Sequence, residues 1–276
     1  MGDIKDLTVS VVIPCFNYGK YLEEAIDSCL NSTFRDIEII VVNDGSTDPD
    51  TISVLENLQK PKTRVIHQEN KGLPCARNTG IAAAKGKYIL PLDADDTIEP
   101  TYIEKAVAVL ESKPGIGFVS AGIRHFGDYN KEILFPPINF YSLLFKNEVT
   151  VCSMFRKKAW SDVGGYNELM RQGFEDWDFW ISLMKRGWLG YRIPEVLFNY
   201  RRHGKTMLHY SNKIRKQLFR QIQNNHPELY RKERLEQLKK QWVMSQGKKT
   251  KPVEKKQTKH KKRVNVTSWT VHVKRK

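Results

Sequence analysis

The chain has 276 residues, 40% hydrophobic and 11% aromatic, which is enough for one or two globular domains with a buried core. No stretch approaches the ~18 consecutive apolar residues of a membrane-spanning helix, so we expect no such helix. The net charge of +15 is uneven: residues 201–276 carry 24 Lys and Arg against 4 Asp and Glu, whereas residues 1–200 carry 22 against 27. The sequence therefore predicts a mildly acidic body followed by a strongly basic tail.

The cysteines and the N-terminal sequence indicate a cellular location. Cys15, Cys29, Cys75 and Cys152 lie far apart and form no C-x-x-C pair. This spacing is typical neither of a zinc site nor of a disulfide framework, and it favours a reducing compartment. The first residues, MGDIKDLTVSVVIP, lack the basic and then apolar pattern of a secretory signal. We therefore expect a cytoplasmic protein.

Apolar runs alternate with helical patterns over the first hundred residues. Strands are predicted within 8–16, 37–48, 63–70 and 87–96, and helices within 19–33, 49–60 and 74–86. Gly86 is the predicted residue that closes the last of these helices. This alternation at a spacing of ~20–30 residues indicates βαβ units and a parallel sheet.

Polar residues follow three of the predicted strands, in the segments PCFN, NDGSTD and DADD. Ligands of open α/β sheets bind outside the carboxyl ends of the strands. Neither the Rossmann G-x-G-x-x-G pattern nor a P-loop is present, so a phosphorylated ligand would need a divalent cation held by carboxylates. Taken alone, DADD is also compatible with a solvated loop and a helix N-cap.

Four blocks of the sequence resemble the inverting family 2 glycosyltransferases of GT-A fold. They are VSVVIPCFNYGKYLEEAIDSCLNST, IEIIVVNDGSTD, NKGLPCARNTGIAAAKGKYILPLDADD and GGYNELMRQGFEDWDFWISLMKRGW. The resemblance implies an α/β fold with a mostly parallel central sheet flanked by helices. Domain 1–211 would comprise a Rossmann-like nucleotide-sugar half at about 8–97 and an acceptor half at about 98–211. We expect a basic helical extension at 212–246 and a disordered basic tail at 247–276.

The resemblance implies a nucleotide-diphospho-sugar as donor, with a UDP-sugar as the first expectation. Asp95 is then the metal-binding residue of the D-x-D motif, and His203 is a candidate further ligand of Mn²⁺ or Mg²⁺. A solvated helix charge remains the alternative for Arg77. The alternatives for His203 are contact with the donor diphosphate and a structural role, and Arg201 or Arg202 is a candidate partner of a phosphate. The implied donor-binding residues are Pro14, Phe16, Asn17, Asp44 on the base, Arg77, and Asp93 on the ribose.

The segment FEDWDFW contains the implied catalytic acids. By its match to the E-D motif of the family, Asp176 is the base that deprotonates the acceptor hydroxyl, and Glu175 helps to position the acceptor. Apolar neighbours can raise the pKa of such a carboxylate and make it a better base. Asp178 is expected to cap the helix that follows.

The implied reaction is a metal-dependent, inverting transfer to a glycan or lipid-linked acceptor, in the synthesis of a cell-surface polysaccharide or another glycan. The Q-x-x-R-W pattern of processive relatives is absent, which favours one sugar per encounter.

In the basic extension, an apolar stripe is formed by Ile214, Leu218, Phe219 and Ile222, and two positions are open for it. The stripe packs on the body, or it lies on an anionic membrane and holds the enzyme near a lipid-linked acceptor.

Two other functional classes compete with glycosyl transfer. A nucleic-acid-binding protein acting through the basic tail would leave the acidic motifs unexplained. A sugar-phosphate nucleotidyltransferase would normally carry a basic, Gly-rich loop after the first strand, where this chain has PCFNYGKYLEE. The acidic motifs therefore favour glycosyl transfer over both, and nucleic acid is not an expected partner.

Overall fold

The computed structural model describes residues 8–204 and 206–247. Apart from Gly247, the predicted tail 247–276 lies outside the described residues, so its disorder stays a prediction. No helix in the described part of the chain is long and apolar enough to cross a membrane.

Strands and helices alternate through the described ranges, as the apolar pattern predicts. The strands are β1 (Val9–Cys15), β2 (Ile37–Asp44), β3 (Thr63–Gln68), β4 (Tyr88–Pro91), β5 (Thr97–Ile98), β6 (Ile116–Gly127), β7 (Lys131–Ile133), β8 (Met154–Arg156) and β9 (Leu189–Arg202). The helices are α1 (Gly19–Leu30), α2 (Pro49–Glu56), α3 (Leu73–Ala83), α4 (Tyr102–Ser112), α5 (Phe140–Leu143), α6 (Lys157–Val163), α7 (Glu175–Lys185), α8 (Met207–Lys213), α9 (Arg215–Asn225) and α10 (Lys232–Gly247).

These strands form one sheet in the order β3-β2-β1-β4-β8-β6-β9-β5, with β7 paired to β6. The strands β1 to β4 are parallel, and β8 is antiparallel to both β4 and β6. Because β9 is parallel to β6, the long strands of both halves run in the same direction. Their carboxyl ends therefore meet at one edge of the sheet, and the predicted mostly parallel α/β fold is confirmed.

Hydrophobic cores cover both faces of this sheet. Alternate side chains of a strand point to opposite faces, so Val11 and Ile13 join the core beneath α1 and α4. Between them, Val12 joins the second core beneath α3 and α7. The helices thus flank the sheet on both sides, and the sheet's carboxyl edge stays open.

The basic extension shares the second core. Leu218 and Ile222 of α9 are 1% and 0% exposed, and Phe219 packs partly buried beside them. The alternative in which the apolar stripe packs on the body is therefore confirmed. Contact of the extension with an anionic membrane stays a prediction. A 3₁₀ turn at Pro227–Tyr230 separates α9 from α10.

The predicted role of Gly86 is wrong. Helix α3 ends at Ala83, and its capping residue Ala84 is extended, with φ −68° and ψ 141°. Gly86 instead lies against β1, where an added Cβ would stand 2.5 Å from the backbone nitrogen of Ser10. The position needs glycine because two backbone segments approach closely there.

Candidate active site

The loop after β1 is tied to the loop after β2 through Asn17. Asn17 has a left-handed backbone with φ 59°, which asparagine tolerates better than most residues. Its Oδ1 accepts hydrogen bonds from the backbone N–H groups of Thr47 and Asp48 at 2.8 and 2.9 Å. Pro14 is buried within β1, whereas the ring of Phe16 is 43% exposed. The sheet edge thus presents an exposed aromatic ring beside a fixed polar loop.

Asp44 holds the loop that follows β3. It is 3% exposed and accepts hydrogen bonds from Gln68 Nε2 at 2.7 Å and from the backbone N–H groups of Lys71 and Gly72 at 2.9 Å. A carboxylate can accept about four hydrogen bonds, so one more donor can still be accommodated. Recognition of a nucleobase by Asp44 stays a prediction.

Arg77 is a buried cation that joins the two halves of the domain. It lies on α3 with 0% exposure, and its Nη2 donates a hydrogen bond to Asp93 Oδ1 at 2.7 Å. Its Nη1 donates a hydrogen bond to Glu175 Oε1 at the start of α7. Burial disfavours the charged guanidinium, but the two carboxylates raise the pKa of Arg77 above its ordinary value. The interpretation as a solvated helix charge is therefore wrong.

Asp95 and His203 form a pair at the carboxyl edge. His203 Nε2 lies 2.8 Å from Asp95 Oδ2, and the two side chains are 23% and 17% exposed. Burial and the charge of Asp93 raise the pKa of Asp95. The next acid, Asp96, is buried and accepts the backbone N–H of Arg201 at 2.8 Å. The three crowded aspartates thus have three different partners.

The Asp95–His203 pair fits a cation only together with a ligand that supplies oxygen atoms. Among the described residues, no group of three or more His, Cys, Asp and Glu side chains is arranged to hold a metal ion. Mg²⁺ is commonly held by one or two carboxylates plus the phosphates of a substrate, and Mn²⁺ favours the same hard ligands. The residues present match that arrangement rather than a cage made by the protein alone.

Asp176 lies in the first turn of α7, beside buried Glu175. Burial and the charge of Glu175 raise the pKa of Asp176 to about 7, and the charge of Arg77 opposes this rise. Asp176 Oδ1 accepts the backbone N–H of Trp177 at 2.7 Å, and Oδ2 accepts a hydrogen bond from Asn147 Nδ2 at 3.0 Å. A carboxyl group that titrates near neutral pH is suited to general base catalysis.

Glu175 and Asn147 lie beside Asp176, and the role of Glu175 in positioning the acceptor stays a prediction. Glu175 is 5% exposed and binds Arg77, so in this arrangement it faces Arg77 rather than open space. Sequence reasoning missed Asn147, because it belongs to no motif and lies in an irregular segment 29 positions before Asp176. Only the folded chain shows that Asn147 contacts Asp176.

The predicted capping role of Asp178 is also wrong. Helix α7 begins at Glu175, with Phe174 as its N-cap, so Asp178 lies inside the first turn and is 3% exposed. Its Oδ1 accepts a hydrogen bond from Asn225 Nδ2 at 2.8 Å and lies 3.0 Å from His226 Nε2. The end of α9 thus holds the helix that carries Asp176, which gives the basic extension a structural role beside the site.

Comparisons with known proteins agree with this geometry. The family model described as Glycosyl transferase family 2 matches residues 10–164. The chain is 31% identical over 205 residues to a chondroitin synthase of Escherichia coli, covering 72% of this chain and 29% of that protein. It is 32% identical over 220 residues to an uncharacterized glycosyltransferase of Haemophilus influenzae, covering 71% of this chain and 66% of that protein. The chain therefore spans under a third of the first relative's length and just under two thirds of the second's.

Solved structures share the fold. The crystal structure of S. aureus TarS 1–349 in complex with UDP-GlcNAc has a TM-score of 0.68 at 19% identity, covering 86% of this chain and 71% of that one. The complex of the same protein with UDP has a TM-score of 0.64 at 18% identity, covering 88% and 72%. This similarity identifies the GT-A fold.

Proposed function

The chain belongs to glycosyl transferase family 2, and we propose that it transfers one sugar from a UDP-sugar to an acceptor hydroxyl with inversion, aided by Mn²⁺ or Mg²⁺, in polysaccharide or glycan synthesis. The observation that carries this proposal is the Arg77 bridge. It ties Asp93, at the carboxyl edge of the sheet, to Glu175, the neighbour of the proposed base Asp176. The relative described as a chondroitin synthase supports a polysaccharide as product.

The donor would bind along the carboxyl ends of β1, β2 and β4. The exposed ring of Phe16 offers a stacking surface for the nucleobase of the donor, beside the loop that Asn17 fixes and near the carboxylate of Asp44. Pro14 shapes the end of β1. Asp93 would reach the ribose, and Arg77 would act on the donor by holding Asp93 in place. The TarS complexes with UDP-GlcNAc and UDP support a uridine nucleotide.

A divalent cation, when bound, would supply positive charge that stabilises the diphosphate as it leaves. Asp95 and His203 would hold it together with phosphate oxygens of the donor. Because Mg²⁺ is bound mainly through oxygen, the imidazole of His203 makes Mn²⁺ the better expected match. Arg201 Nε donates to the carbonyl oxygen of Asp95 at 2.8 Å and so fixes the turn that carries this carboxylate.

Asp176 would take the proton of the acceptor hydroxyl while that oxygen attacks the anomeric carbon. A carbon–oxygen bond forms on one face of the sugar as the bond to the diphosphate breaks on the other, and the nucleoside diphosphate leaves with the bonding electron pair. The configuration at the anomeric carbon is thereby inverted. With a pKa of about 7, Asp176 is a stronger base than an ordinary aspartate and is still largely deprotonated slightly above neutral pH.

The test is a thermal-shift panel of UDP, GDP, CDP, dTDP and their common sugar conjugates, each with and without Mn²⁺. A ligand at 100 times its Kd stabilises the native state by about 2.7 kcal/mol, which corresponds to roughly 5–10 °C for a domain of this size. We expect UDP and one UDP-sugar to raise the melting temperature only with Mn²⁺. A shift with GDP but not UDP would overturn the donor class, and no shift with any nucleotide would overturn the proposed function.

A further inference from the structure

A cavity of about 150 Å³ opens at the carboxyl edge of the sheet, next to the Asp95–His203 pair. The end of β9, the turn after β6 and helix α8 form its walls. The side chains that matter here are Asp128, Tyr129, Arg202, His203 and His209. Arg201 also lines the cavity, so two arginines and one aspartate give its walls a net positive charge.

Two walls of the cavity are tied to groups of the proposed site. His203 forms part of one wall. Helix α8 forms another, and Ser211 of this helix donates a hydrogen bond from Oγ to the carbonyl oxygen of Gln172 at 2.7 Å. Gln172 lies four positions before Asp176 in the chain. Helix α8 thus connects one wall of the cavity to the segment that precedes α7, and His203 connects another wall to Asp95.

Arg202, the last residue of β9, contacts different groups from the residues on either side of it. Arg201 forms an ion pair with Glu24, and His203 pairs with Asp95, so both contact the donor half. Arg202 instead lies over the ring of Tyr129, with its guanidinium carbon 5.3 Å from the ring centroid. Unlike its two neighbours, Arg202 is therefore held by an aromatic ring and not by an acid.

Aromatic rings hold the guanidinium of Arg202, but no described carboxylate neutralises it. Its second ring contact is Tyr200, at 5.5 Å. Asp128, the acid that lines the cavity, forms no ion pair with Arg202, although its backbone N–H donates to the carbonyl oxygen of Arg202 at 2.8 Å. A stacked arginine without an ion pair offers its N–H donors to a ligand with little loss of side-chain freedom.

We propose that this cavity binds an oxyanion carried by the acceptor, either a phosphate or a carboxylate, through Arg202. The inference rests on the proposed function and deepens it by naming the chemical class of the acceptor. The planar guanidinium matches both oxyanions in bidentate hydrogen bonds. A cavity of 150 Å³ has room for about five water-sized groups. It can therefore hold an oxyanion together with part of the sugar or polyol that carries it. The competing occupant is the donor diphosphate, because His203 borders the same space.

The experiment titrates the full chain, saturated with UDP and Mn²⁺, with three probes and measures the affinity of each by isothermal titration calorimetry. These are p-nitrophenyl β-glucuronide, glycerol 1-phosphate and the neutral p-nitrophenyl β-glucoside. We expect at least one oxyanion probe to bind at least tenfold more tightly than the glucoside. Replacement by Arg202→Gln should remove this preference and leave the Kd of UDP within twofold. Arg231→Gln, at an exposed arginine of the extension, makes the same change of charge and should alter neither value.

Each outcome has a defined meaning. Preferential binding of the glucuronide would indicate an acceptor with a uronic acid, and preferential binding of glycerol 1-phosphate would indicate an acceptor with a phosphate. Equal affinity for the glucoside and both oxyanions, or no binding of any probe, would overturn the proposal. Loss of UDP affinity in Arg202→Gln would assign the cavity to the donor diphosphate instead. If the native chain fails to bind UDP, the proposed function fails, whereas an oxyanion preference measured without nucleotide would stand by itself.

The melting temperature of Arg202→Gln and the behaviour of Arg202→Lys, which keeps the charge without the planar fork, separate binding from misfolding.

Discussion

The two sides of the candidate site are built from different kinds of structure. On the donor side, loops after successive parallel strands hold one another, as Asn17 holds the loop after β2 and Asp44 holds the loop after β3. On the acceptor side, Asp176 depends on Asn147 in an irregular segment, and its helix depends on the end of α9. The donor side thus follows the regular βαβ repeat, whereas the acceptor side is assembled from segments outside it.

This difference extends to the electrostatics. Asp44 has three hydrogen-bond donors around its carboxylate. Asp176 has two, and the negative charge of Glu175 lies beside it. Hydrogen bonds to a carboxylate favour its charged form, and a neighbouring negative charge opposes it. Burial and the charge of Glu175 raise the pKa of Asp176 to about 7, so this carboxyl group exchanges protons near neutral pH.

The largest expected effect separates the two sides directly. Asp176→Asn should lower the rate of transfer by about 10²- to 10⁴-fold, because general base catalysis contributes that much. The Kd of UDP should stay within twofold, since the donor side is unchanged. Rates are measured as release of the nucleotide from the donor that the thermal-shift panel identifies. Asp50→Asn, at an exposed acid of α2, is the matched control. Near wild-type transfer by Asp176→Asn would show that the base is another residue.

Arg77 is where the two sides meet, and its removal should disturb both. Arg77→Met leaves the carboxylates of Asp93 and Glu175 without their buried partner. Loss of one partner of a buried ion pair lowers the free energy of unfolding by about 3–5 kcal/mol, which is roughly 10 °C in melting temperature. Arg220→Met, on the exposed surface of α9, should shift the melting temperature by under about 2 °C. Equal melting temperatures of the two variants would contradict a stabilising role for the ion pairs of Arg77.

A change at the proposed cation site should affect the donor side alone. In Asp95→Asn, the Mn²⁺-dependent part of the UDP-induced rise in melting temperature should disappear, and addition of EDTA to the native chain should have the same effect. Asp96→Asn is the adjacent control, because Asp96 binds the backbone of Arg201 rather than His203. It should keep the dependence on Mn²⁺. An undiminished response to Mn²⁺ in Asp95→Asn would exclude this carboxylate as a ligand.

The smallest expected effect concerns the tuning of Asp176. Asn147 donates a hydrogen bond to the carboxylate, which favours the charged form and lowers the pKa of Asp176. Asn147→Ala should therefore raise that pKa from about 7. Because the base acts deprotonated, the midpoint of kcat/KM against pH should move upward. The move should be about 0.5–1 unit, since such a bond is worth about 1 kcal/mol and one unit is about 1.4 kcal/mol.

The charged groups facing Asp176, namely Glu175 and Arg77, are unchanged in this variant, as is the neighbouring Tyr166. Asn224→Ala, on the exposed side of α9, should keep the native midpoint. An unchanged or lower midpoint in Asn147→Ala would mean that Asn147 does not tune the base.

Much of the donor side was predictable from the sequence, because its signals are local. Apolar runs predicted β1 to β4, and the helical pattern at 19–33 predicted α1, observed at Gly19–Leu30. The polar segments after the strands lie at one edge of the sheet, since parallel strands bring their carboxyl ends together. The family resemblance, which the comparisons confirm, rests on the same short blocks.

Tertiary structure alone decided the partners of the buried charges and the position of the extension. Arg77 and Glu175 are 98 positions apart, and Asp178 and His226 are 48 apart, so no pattern within one element links them. The same holds for Gly86, which is glycine because β1 passes close to it rather than because a helix ends there. Periodicity and strand ends report which residues lie in one element and on which face. The partner of a buried side chain depends on how separate elements pack against each other, and that is determined only when the whole chain folds.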